Sequence, residues 1–489
     1  MNLSKINKRN ENIDCALKKR ELAKDIKEGN LNGYLKQYLG KESYADYQKR
    51  LEETYFFNKI DNIINSYVSK PFKKDFKINE ENNELLAEEL SANFDGQGMN
   101  VTDFLKVVLK ESFYYAQCHV FTDLIKSTDG SENSHIVNII DLEDILDYEF
   151  DLKGELIYLR LRSEEHYRVD FSIKKKLSIK EYFKINNKVY FNDYISTNNF
   201  TKSTQKDGLS FILRSANNEF GLKNIPLRSF YLVPVKNDKK FNPDLPFQNA
   251  FELQLTHFKT ASRLKYNELI YSTASRVFET SNVDDNENRS LEITPKKMTI
   301  IGQGDKLYWD IPPYQLIEAY RKEMAEMAGE IDEIMGNILY GKTNGTATAT
   351  ENVLLSSSTN NFLSSISNSL QWFAEKIIAD IQEFNNLISA DFSTTIITDY
   401  SVALNQTETS TLFQLYSVGG LALEDLFNEL KRRNIFDDYL TFEKTMDKLI
   451  EEEAKKSSIV TVEENTDNND SLNLEDSEVE VNKNDNLEV

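Results

Sequence analysis

One stretch of the sequence has the spacing of a phosphate-binding loop. Gly336, Gly341, Lys342 and Thr343 fit the pattern G-x-x-x-x-G-K-[ST]. In a working P-loop a strand precedes the loop and a helix begins directly after the Lys-Thr pair, so that backbone N–H groups point at phosphate. Here a helical pattern precedes Gly336, and the turn-forming pair Asn344-Gly345 follows. The context therefore disfavours nucleotide binding, and a P-loop ATPase is kept as an alternative.

Metal-ligating and nucleophilic side chains are few and scattered. The four histidines show no ligand spacing, although Cys118 and His119 are adjacent. Because neighbouring residues of a strand point to opposite faces, we interpret this pair as a core cysteine beside a partly buried histidine. The other cysteine, Cys15, completes no disulfide framework, which is typical of a chain kept in a reducing compartment. We expect no catalytic residue, metal or cofactor.

A third set of polar residues shares one face of a predicted helix. Apolar residues recur three or four positions apart over residues 313–336, and Pro313 suits the first helical position. The polar face carries Glu318, Lys322, Glu326, Glu330 and Glu333. Nothing indicates the burial that would shift the pKa of a catalytic carboxyl pair. We interpret it as a solvated face, which is compatible with the lining of a water-filled channel.

The elements around these residues change in character along the chain. Residues 1–33 carry eight Lys/Arg against five Asp/Glu and no clear apolar stripe, which predicts a mobile arm with some helix. Helical spacing runs from Tyr34 to about Lys70, and a second helix is predicted over Val101–Gln117. Between 119 and 236 short apolar runs alternate with polar turns, which predicts a β-rich region.

Long helices dominate the second half. The spacing predicts helices over 247–275 and 351–389, with short strands and turns at 276–312. A helix pair whose tip carries its own small β module needs neighbours to cover its apolar sides, which indicates a ring or bundle of several copies. Residues 457–489 hold ten acidic residues and one lysine, which predicts disorder.

Charge and composition limit the classes of function. The 489 residues carry a net charge of −22, with 40% hydrophobic and 28% charged residues. Tight nucleic-acid binding requires a basic surface that neutralises phosphates, so stable DNA binding is disfavoured while transient passage of DNA stays open. No window approaches the length of a membrane span, and Met1–Asn12 is too polar for a secretory signal.

Several loose motifs follow one another between residues 44 and 453. They are Tyr47-x-x-Arg50-Leu with Lys70-Pro-Phe; Asp95-Gly-Gln-Gly-Met; Asp244 to Ala250 with Leu255-x-His257; Thr346-Ala-Thr-Ala-Thr-Glu351 with Leu370-x-x-Phe373; and Gly419-Gly420-x-Ala-x-Glu424 with Leu430-Lys-Arg-Arg-Asn434. In this order they resemble the portal proteins of tailed bacteriophages, and the Thr-Ala repeat is the most specific of them. The acidic tail is not a family requirement, and the segment 1–33 has no counterpart.

The resemblance implies an α+β subunit of defined parts. These are an N-terminal arm (1–33), a wing (34–246), a first stem helix (247–275), a clip (276–312), a second stem helix (313–336), a tunnel loop (337–350), a long wing helix with a strand (351–407), a helical crown (408–456) and an acidic tail (457–489). It implies a non-enzymatic ring, expected to be a dodecamer, that is assembled in the host cytoplasm and sits at one capsid vertex of the virion.

The resemblance also implies partners and a route for DNA. Double-stranded DNA would pass through the ring during packaging, be retained by it and leave through it. The expected partners are the large terminase (the packaging ATPase), a head-completion or adaptor protein, and the major capsid and scaffolding proteins, with no membrane. Two alternatives stay open: a P-loop ATPase of the same packaging machinery, and a scaffolding or minor capsid protein.

Three groups of residues are the candidate sites under this resemblance. The acidic helix face, Glu318, Lys322, Glu326, Glu330 and Glu333, would line the DNA channel. The tunnel loop would present Lys342, Thr343, Asn344 and Thr346 to passing phosphates. Phe278, Tyr308 and Trp309 lie in a clip too short to bury them alone, so they would be covered by a neighbouring subunit or a docked partner.

Overall fold

The computed structural model describes residues 6–38, 42–80, 84–125, 134–198, 209–271, 275–279, 306–310, 314–337, 349–385, 392–397, 406–432, 441–448 and 450. The chain divides into two compact units, Met1–Ser401 and Val402–Val489. The described residues are 51% helical and 25% strand. This mixture agrees with the predicted α+β class.

Ten helices are described. They are α1 (Glu11–Glu28), α2 (Tyr44–Glu53), α3 (Lys59–Ser69), α4 (Glu84–Ala92), α5 (Val101–Tyr115), α6 (Gln248–Tyr271), α7 (Tyr314–Asn337), α8 (Ala349–Phe384), α9 (Gln406–Ser417) and α10 (Leu423–Arg432). The first eight belong to the larger unit. In the smaller unit, α9 and α10 are joined through Gly419, whose φ of +77° lies in the left-handed region that favours glycine.

Twelve strands form four antiparallel sheets among the described residues. They are β1 (Lys77–Glu80), β2 (Gln117–Ile125), β3 (Ser134–Ile140), β4 (Ile145–Phe150), β5 (Leu156–Val169), β6 (Ser172–Ile185), β7 (Lys188–Ser196), β8 (Phe211–Glu219), β9 (Leu227–Tyr231), β10 (Ser275–Glu279), β11 (Lys306–Asp310) and β12 (Phe392–Thr395). The sheets have the orders β4-β5-β6-β7-β8, β3-β2-β9, β1-β12 and β10-β11.

The five-stranded sheet is built from consecutive hairpins. Asn186 and Asn187 connect β6 to β7 with φ values of +49° and +65°, as a two-residue turn requires for its twist to match that of the strands. Strands β5 and β6 have 14 residues each and outrun both of their neighbours. The β5–β6 hairpin therefore projects from the sheet.

The main core is assembled around α5. This helix buries its apolar residues on nearly every side, including Phe104, Leu105, Val108 and Phe113. They pack with residues of α3, α6, β2 and α8 in one continuous apolar cluster. Because removing apolar surface from water stabilises a fold by about 25 cal/mol per Å², this shared core holds the long helices in place.

The predicted mobile arm over residues 1–33 is wrong for α1. This helix begins at an Asn10 cap and buries Ile13, Ala23 and Ile26 in two of the cores. The buried stripe of α1 is not evident from the sequence, because small alanines and Arg20 occupy several of its positions. The guanidinium of Arg20 lies 4.1 Å from the centroid of the Tyr115 ring, so a charged residue occupies a buried position.

Three predicted boundaries also need correction. The helical stretch from Tyr34 to Lys70 is broken into α2 and α3, because Ser43 and Asn58 cap separate helix starts. The first long helix does not reach residue 275, since Ser275 already pairs with Asp310 in a strand. Helix α8 begins before the predicted 351–389 range and ends earlier, at Phe384. The predicted disorder over 457–489 concerns residues outside those the structure describes.

Candidate functional surface

Helix α7 packs its apolar face into the main core. Met327, Ile331 and Met335 are buried and lie one turn apart. Helices α6 and α7 pack against each other, and α7 also contacts α3. The spacing that predicted this helix therefore identified its buried side.

The predicted polar face of α7 is the solvent-exposed face. Glu318, Glu326, Glu330 and Glu333 are all exposed, and Lys322 lies 3.8 Å from the Glu326 carboxylate. At about 100° per residue this stripe lies on the side of the helix opposite Met327, Ile331 and Met335. The structure shows the stripe and its exposure, and its role as a channel lining stays a prediction.

Ionic contacts with α3 and α6 fix the rotation of α7. Lys59 at the start of α3 donates to the Ala328 carbonyl at 2.7 Å and pairs with Asp332. Arg321 lies 3.3 Å from Glu268 of α6. These contacts use the flanks of α7 and leave the glutamate stripe outward. No sequence pattern indicated this role of Lys59, because its partner Asp332 is 273 residues away.

Helix α6 is held in turn by a buried ion pair. The Arg50 guanidinium donates to the Glu42 carboxylate at 2.7 and 2.9 Å and to the Ser262 hydroxyl of α6 at 2.6 Å. It also lies over the rings of Tyr38 and Tyr47, at 4.5 and 5.4 Å from their centroids. These hydrogen bonds lower the pKa of Glu42 and raise the pKa of Arg50. The Tyr47-x-x-Arg50 motif thus has a structural role.

A second motif, Asp95-Gly-Gln-Gly-Met, forms a tight turn against β3. The Asp95 carboxylate accepts hydrogen bonds from the backbone N–H groups of Gln97 and Met99. Gly96 has a φ of +73°, and a Cβ there would lie 2.0 Å from the His135 carbonyl oxygen. Glycine is therefore required at position 96 by both conformation and space.

The predicted clip residues lie in a two-stranded sheet whose strands come between α6 and α7 in the sequence. Phe278 of β10 pairs with Leu307 of β11, while Tyr308 and Trp309 pair with Val277 and Arg276. The backbone thus places them on neighbouring strands. Their burial by a subunit or a partner stays a prediction.

The structure describes only the two ends of the predicted tunnel loop, which overlaps the P-loop motif. Gly336 and Asn337, the first two residues of the motif, lie in α7, so the preceding element is a helix where a P-loop needs a strand. Ala349 and Thr350 begin α8, so the loop is shorter than the predicted 337–350. Lys342, Thr343, Asn344 and Thr346 lie outside the described residues.

Cys118 and His119 lie in the buried strand β2. The His119 ring is within 2.8 Å of the Ser229 hydroxyl and stacks on Phe241. Burial lowers the pKa of His119 to about 3, which keeps the ring neutral, and raises the pKa of the Cys118 thiol far above its usual range. Among the described residues no group of acidic, histidine or cysteine side chains could hold a metal, and no helix could span a membrane.

Comparison with known proteins finds weak structural similarity only. No protein-family model matches the chain, and no curated protein matches it. The neck of an empty GTA (gene transfer agent) particle, computed with C6 symmetry, gives a TM-score of 0.39 at 9% identity, covering 80% of this chain and 93% of that one. The neck of a native GTA particle, computed with C12 symmetry, gives 0.35 at 10% identity, covering 76% and 88%. Both TM-scores are too low to define the fold, so the function is argued from this chain's own residues.

Proposed function

We propose that this chain is a portal subunit, whose copies form a ring that conducts double-stranded DNA into and out of a tailed-phage capsid. In this proposal α6 and α7 are the stem and β10–β11 belongs to the clip. The observation that carries it is the glutamate stripe of α7, which is exposed along the helix while the opposite face is buried.

The chemistry of this stripe suits a channel wall. Helix α7 has 24 residues and is about 36 Å long. It carries six acidic and two basic residues, and copies arranged around a ring would make a negative wall. Such a wall repels phosphate over roughly the 8–10 Å that physiological salt leaves unscreened, so it disfavours adhesion of DNA. The duplex could then slide without being held.

The remaining parts of the proposal follow from their place beside the stem. The β10–β11 sheet separates the two stem helices in the chain, and its Phe278, Tyr308 and Trp309 are proposed to meet the large terminase and, later, a head-completion protein. The loop after α7 is proposed to narrow the channel and to place Lys342 near passing phosphates. Neither role requires an enzymatic residue, since the packaging ATPase is a partner.

Negative-stain imaging of the purified chain tests the proposal. We expect rings with a central hole, with twelve-fold symmetry in class averages. Monomers or irregular aggregates under all conditions would contradict the portal function and favour a scaffolding or minor capsid protein. Hydrolysis of ATP by the isolated chain would favour the P-loop ATPase, and no hydrolysis above a Lys342→Ala control is expected.

A further inference from the structure

We propose that the tip of the β5–β6 hairpin of one copy binds an acidic groove between β1, α4 and α5 of a neighbouring copy. This contact joins two different surfaces of the same chain, the kind of contact that builds closed rings. The inference rests on the proposed ring and names the residues that hold its subunits together.

The hairpin tip projects and is apolar at its end. Strand β4 pairs with β5 only as far as Leu161, and β7 pairs with β6 only from Ser178. Leu177 is still buried and bonded to Ser196 of β7, and Glu165 is bonded to Arg214 of β8. The last four residue pairs, from His166–Lys175 to the turn, pair with no further strand and project by about 10 Å at 3.3 Å per residue. Phe171 in the turn is 106% exposed, and Ile173 is 63% exposed. Exposed apolar side chains on a projecting hairpin indicate a contact with another molecule.

The same tip is basic, although the chain as a whole has a net charge of −22. Residues 166–176 contain Arg168 and the run Lys174-Lys175-Lys176, with Asp170 as the single acidic residue. Lys175 pairs with Glu164 at 2.9 Å. Arg168 and Lys174 have no ion-pair partner among the described residues. Two positive charges are therefore free to meet a negative surface.

A groove with the complementary charge lies between β1, α4 and α5. Its volume is about 840 Å³, and its carboxylates are Asp75, Glu80, Glu88 and Asp103, against the single lysine Lys77. Asp103 is already paired with Lys106 at 3.0 Å. Phe76, Ile78 and Ala87 are buried and supply a hydrophobic floor. The groove thus offers both apolar contact and negative charge.

Glu80 is the feature that indicates a cationic ligand. Its side chain lines the groove and is only 8% exposed, yet its Oε2 accepts no hydrogen bond. A buried carboxylate oxygen without a donor carries a desolvation penalty that a lysine or arginine from outside would remove. The hairpin tip provides such donors in Arg168 and Lys174. The exposed ring of Phe171 beside them can pack on the apolar floor of the groove.

A second copy is the occupant that the charges favour. The chain has a net charge of −22, so two copies repel each other unless their contact places opposite charges together. The tip and the groove are a basic and an acidic surface on separate elements of one unit. Nucleic acid is excluded from the groove by its carboxylates.

Charge reversal with rescue tests the contact. Lys174→Glu changes a partly exposed side chain of the tip and Glu88→Lys an exposed one of the groove, and each is expected to lower the fraction of chain in rings at least tenfold in sedimentation velocity at fixed concentration. The double variant is expected to restore rings. Lys153→Glu, an exposed lysine of the β4–β5 turn, is the matched control and should assemble like the original chain.

A second pair of variants tests the apolar part of the tip. Phe171→Ser is expected to reduce ring formation, whereas Leu152→Ser, a turn residue that is 107% exposed, should leave it unchanged. Circular dichroism and thermal midpoints should match in all variants, since none of these side chains is buried. A variant that loses rings through misfolding would be recognised there, and the double variant would then fail to rescue.

The outcomes separate this inference from the portal proposal. If the original chain forms no rings, the portal proposal fails first. If it forms rings and both Lys174→Glu and Phe171→Ser assemble normally, the hairpin contact is wrong while the portal proposal stands. If rings form normally but particles carrying Lys174→Glu contain less DNA, the tip binds DNA rather than a neighbouring copy, and the inference is likewise overturned.

Discussion

Arg50 holds together three separate parts of the larger unit. It ties the segment that carries Glu42 and Tyr38 to α2, where it resides, and to Ser262 on α6. Its side chain and that of Glu42 are essentially inaccessible to solvent. A buried ion pair contributes little more to the free energy of unfolding than an apolar pair of the same shape. Removing one partner is nevertheless destabilising, because it leaves an uncompensated buried charge.

Substitution Arg50→Ala is therefore expected to reduce the free energy of unfolding by about 3–5 kcal/mol. Since the pKa of Glu42 is lowered in the folded state, the pair stabilises the fold above the ordinary carboxyl pKa of about 4.5, and this contribution is lost as pH falls through the lowered value. Urea unfolding at neutral pH measures the loss. The exposed neighbour Lys49→Ala should change it by less than about 0.5 kcal/mol. Equal effects at both positions would contradict the role of Arg50.

His119 makes a second prediction at the residue scale. Its pKa is lowered from 6.5 to about 3 by burial, so the unfolded chain binds a proton that the folded chain excludes. Stability is therefore complete above pH 6.5 and falls as the pH is lowered toward 3, by at most about 1.4 kcal/mol per pH unit for one proton.

Replacing His119 with Gln should flatten this dependence between pH 7 and pH 5, as followed by urea unfolding. The wild-type slope will keep contributions of the same sign from His135 and His257, whose pKa values burial also lowers. An unchanged slope in His119→Gln would show that the ring is protonated in the folded protein.

At the scale of elements, α7 has a buried apolar face and an exposed acidic face, and the two faces have separate roles. The buried face joins it to the core, and Lys59 and Arg321 fix its rotation. Glu326 and Glu330 of the glutamate stripe are exposed and take no part in the apolar cluster that packs α7. These two charges can therefore be changed without disturbing the fold.

The double reversal Glu326→Lys and Glu330→Lys is expected to leave ring assembly unchanged and to reduce packaged DNA severalfold, because lysines in a channel wall would hold phosphate. The effect should weaken at higher salt, as screening shortens the range of the attraction. DNA content of particles, measured by absorbance ratio and quantitative amplification, checks this. Glu52→Lys with Glu53→Lys makes the same change of net charge on exposed residues of α2, and equal packaging defects in both would contradict a channel role.

At the scale of the whole molecule, the apolar clusters and the strongly acidic C-terminal segment occupy different parts of the chain. Every residue of the three apolar clusters of described residues lies between Ile6 and Ile396. Residues 457–489 supply nine of the 22 net negative charges. Among the described residues, the apolar clusters of the larger unit therefore include no residue from the end of the chain.

Deletion of residues 457–489 is expected to leave the thermal midpoint of the larger unit within about 2 °C of the original, since no cluster loses a member. Differential scanning calorimetry of both chains makes the comparison. A large drop in the midpoint would show that the acidic segment packs on the larger unit. The isoelectric point should rise in either case, which provides the control that the deletion was made.

The sequence by itself determined the features that depend on nearby residues. Apolar spacing located α5 to α8 and the buried face of α7, and the helical pattern before Gly336 disfavoured a P-loop. Cys118 was correctly interpreted as a core residue, whereas the adjacent His119, expected to be partly buried, is fully buried. These succeed because helix periodicity and strand alternation are repeated within a few positions, where the chain itself fixes the distances.

Only the tertiary structure decided the features that join distant residues. Arg20 is buried in α1 because Tyr115 lies over it, and Lys59 orients α7 across 273 residues of sequence. The acidic groove exists because β1, α4 and the start of α5 meet, which leaves the Oε2 atom of Glu80 buried without a donor. A charged residue has no periodic signature of its own, so whether it is solvated, paired or unpaired depends on which segments the fold brings beside it.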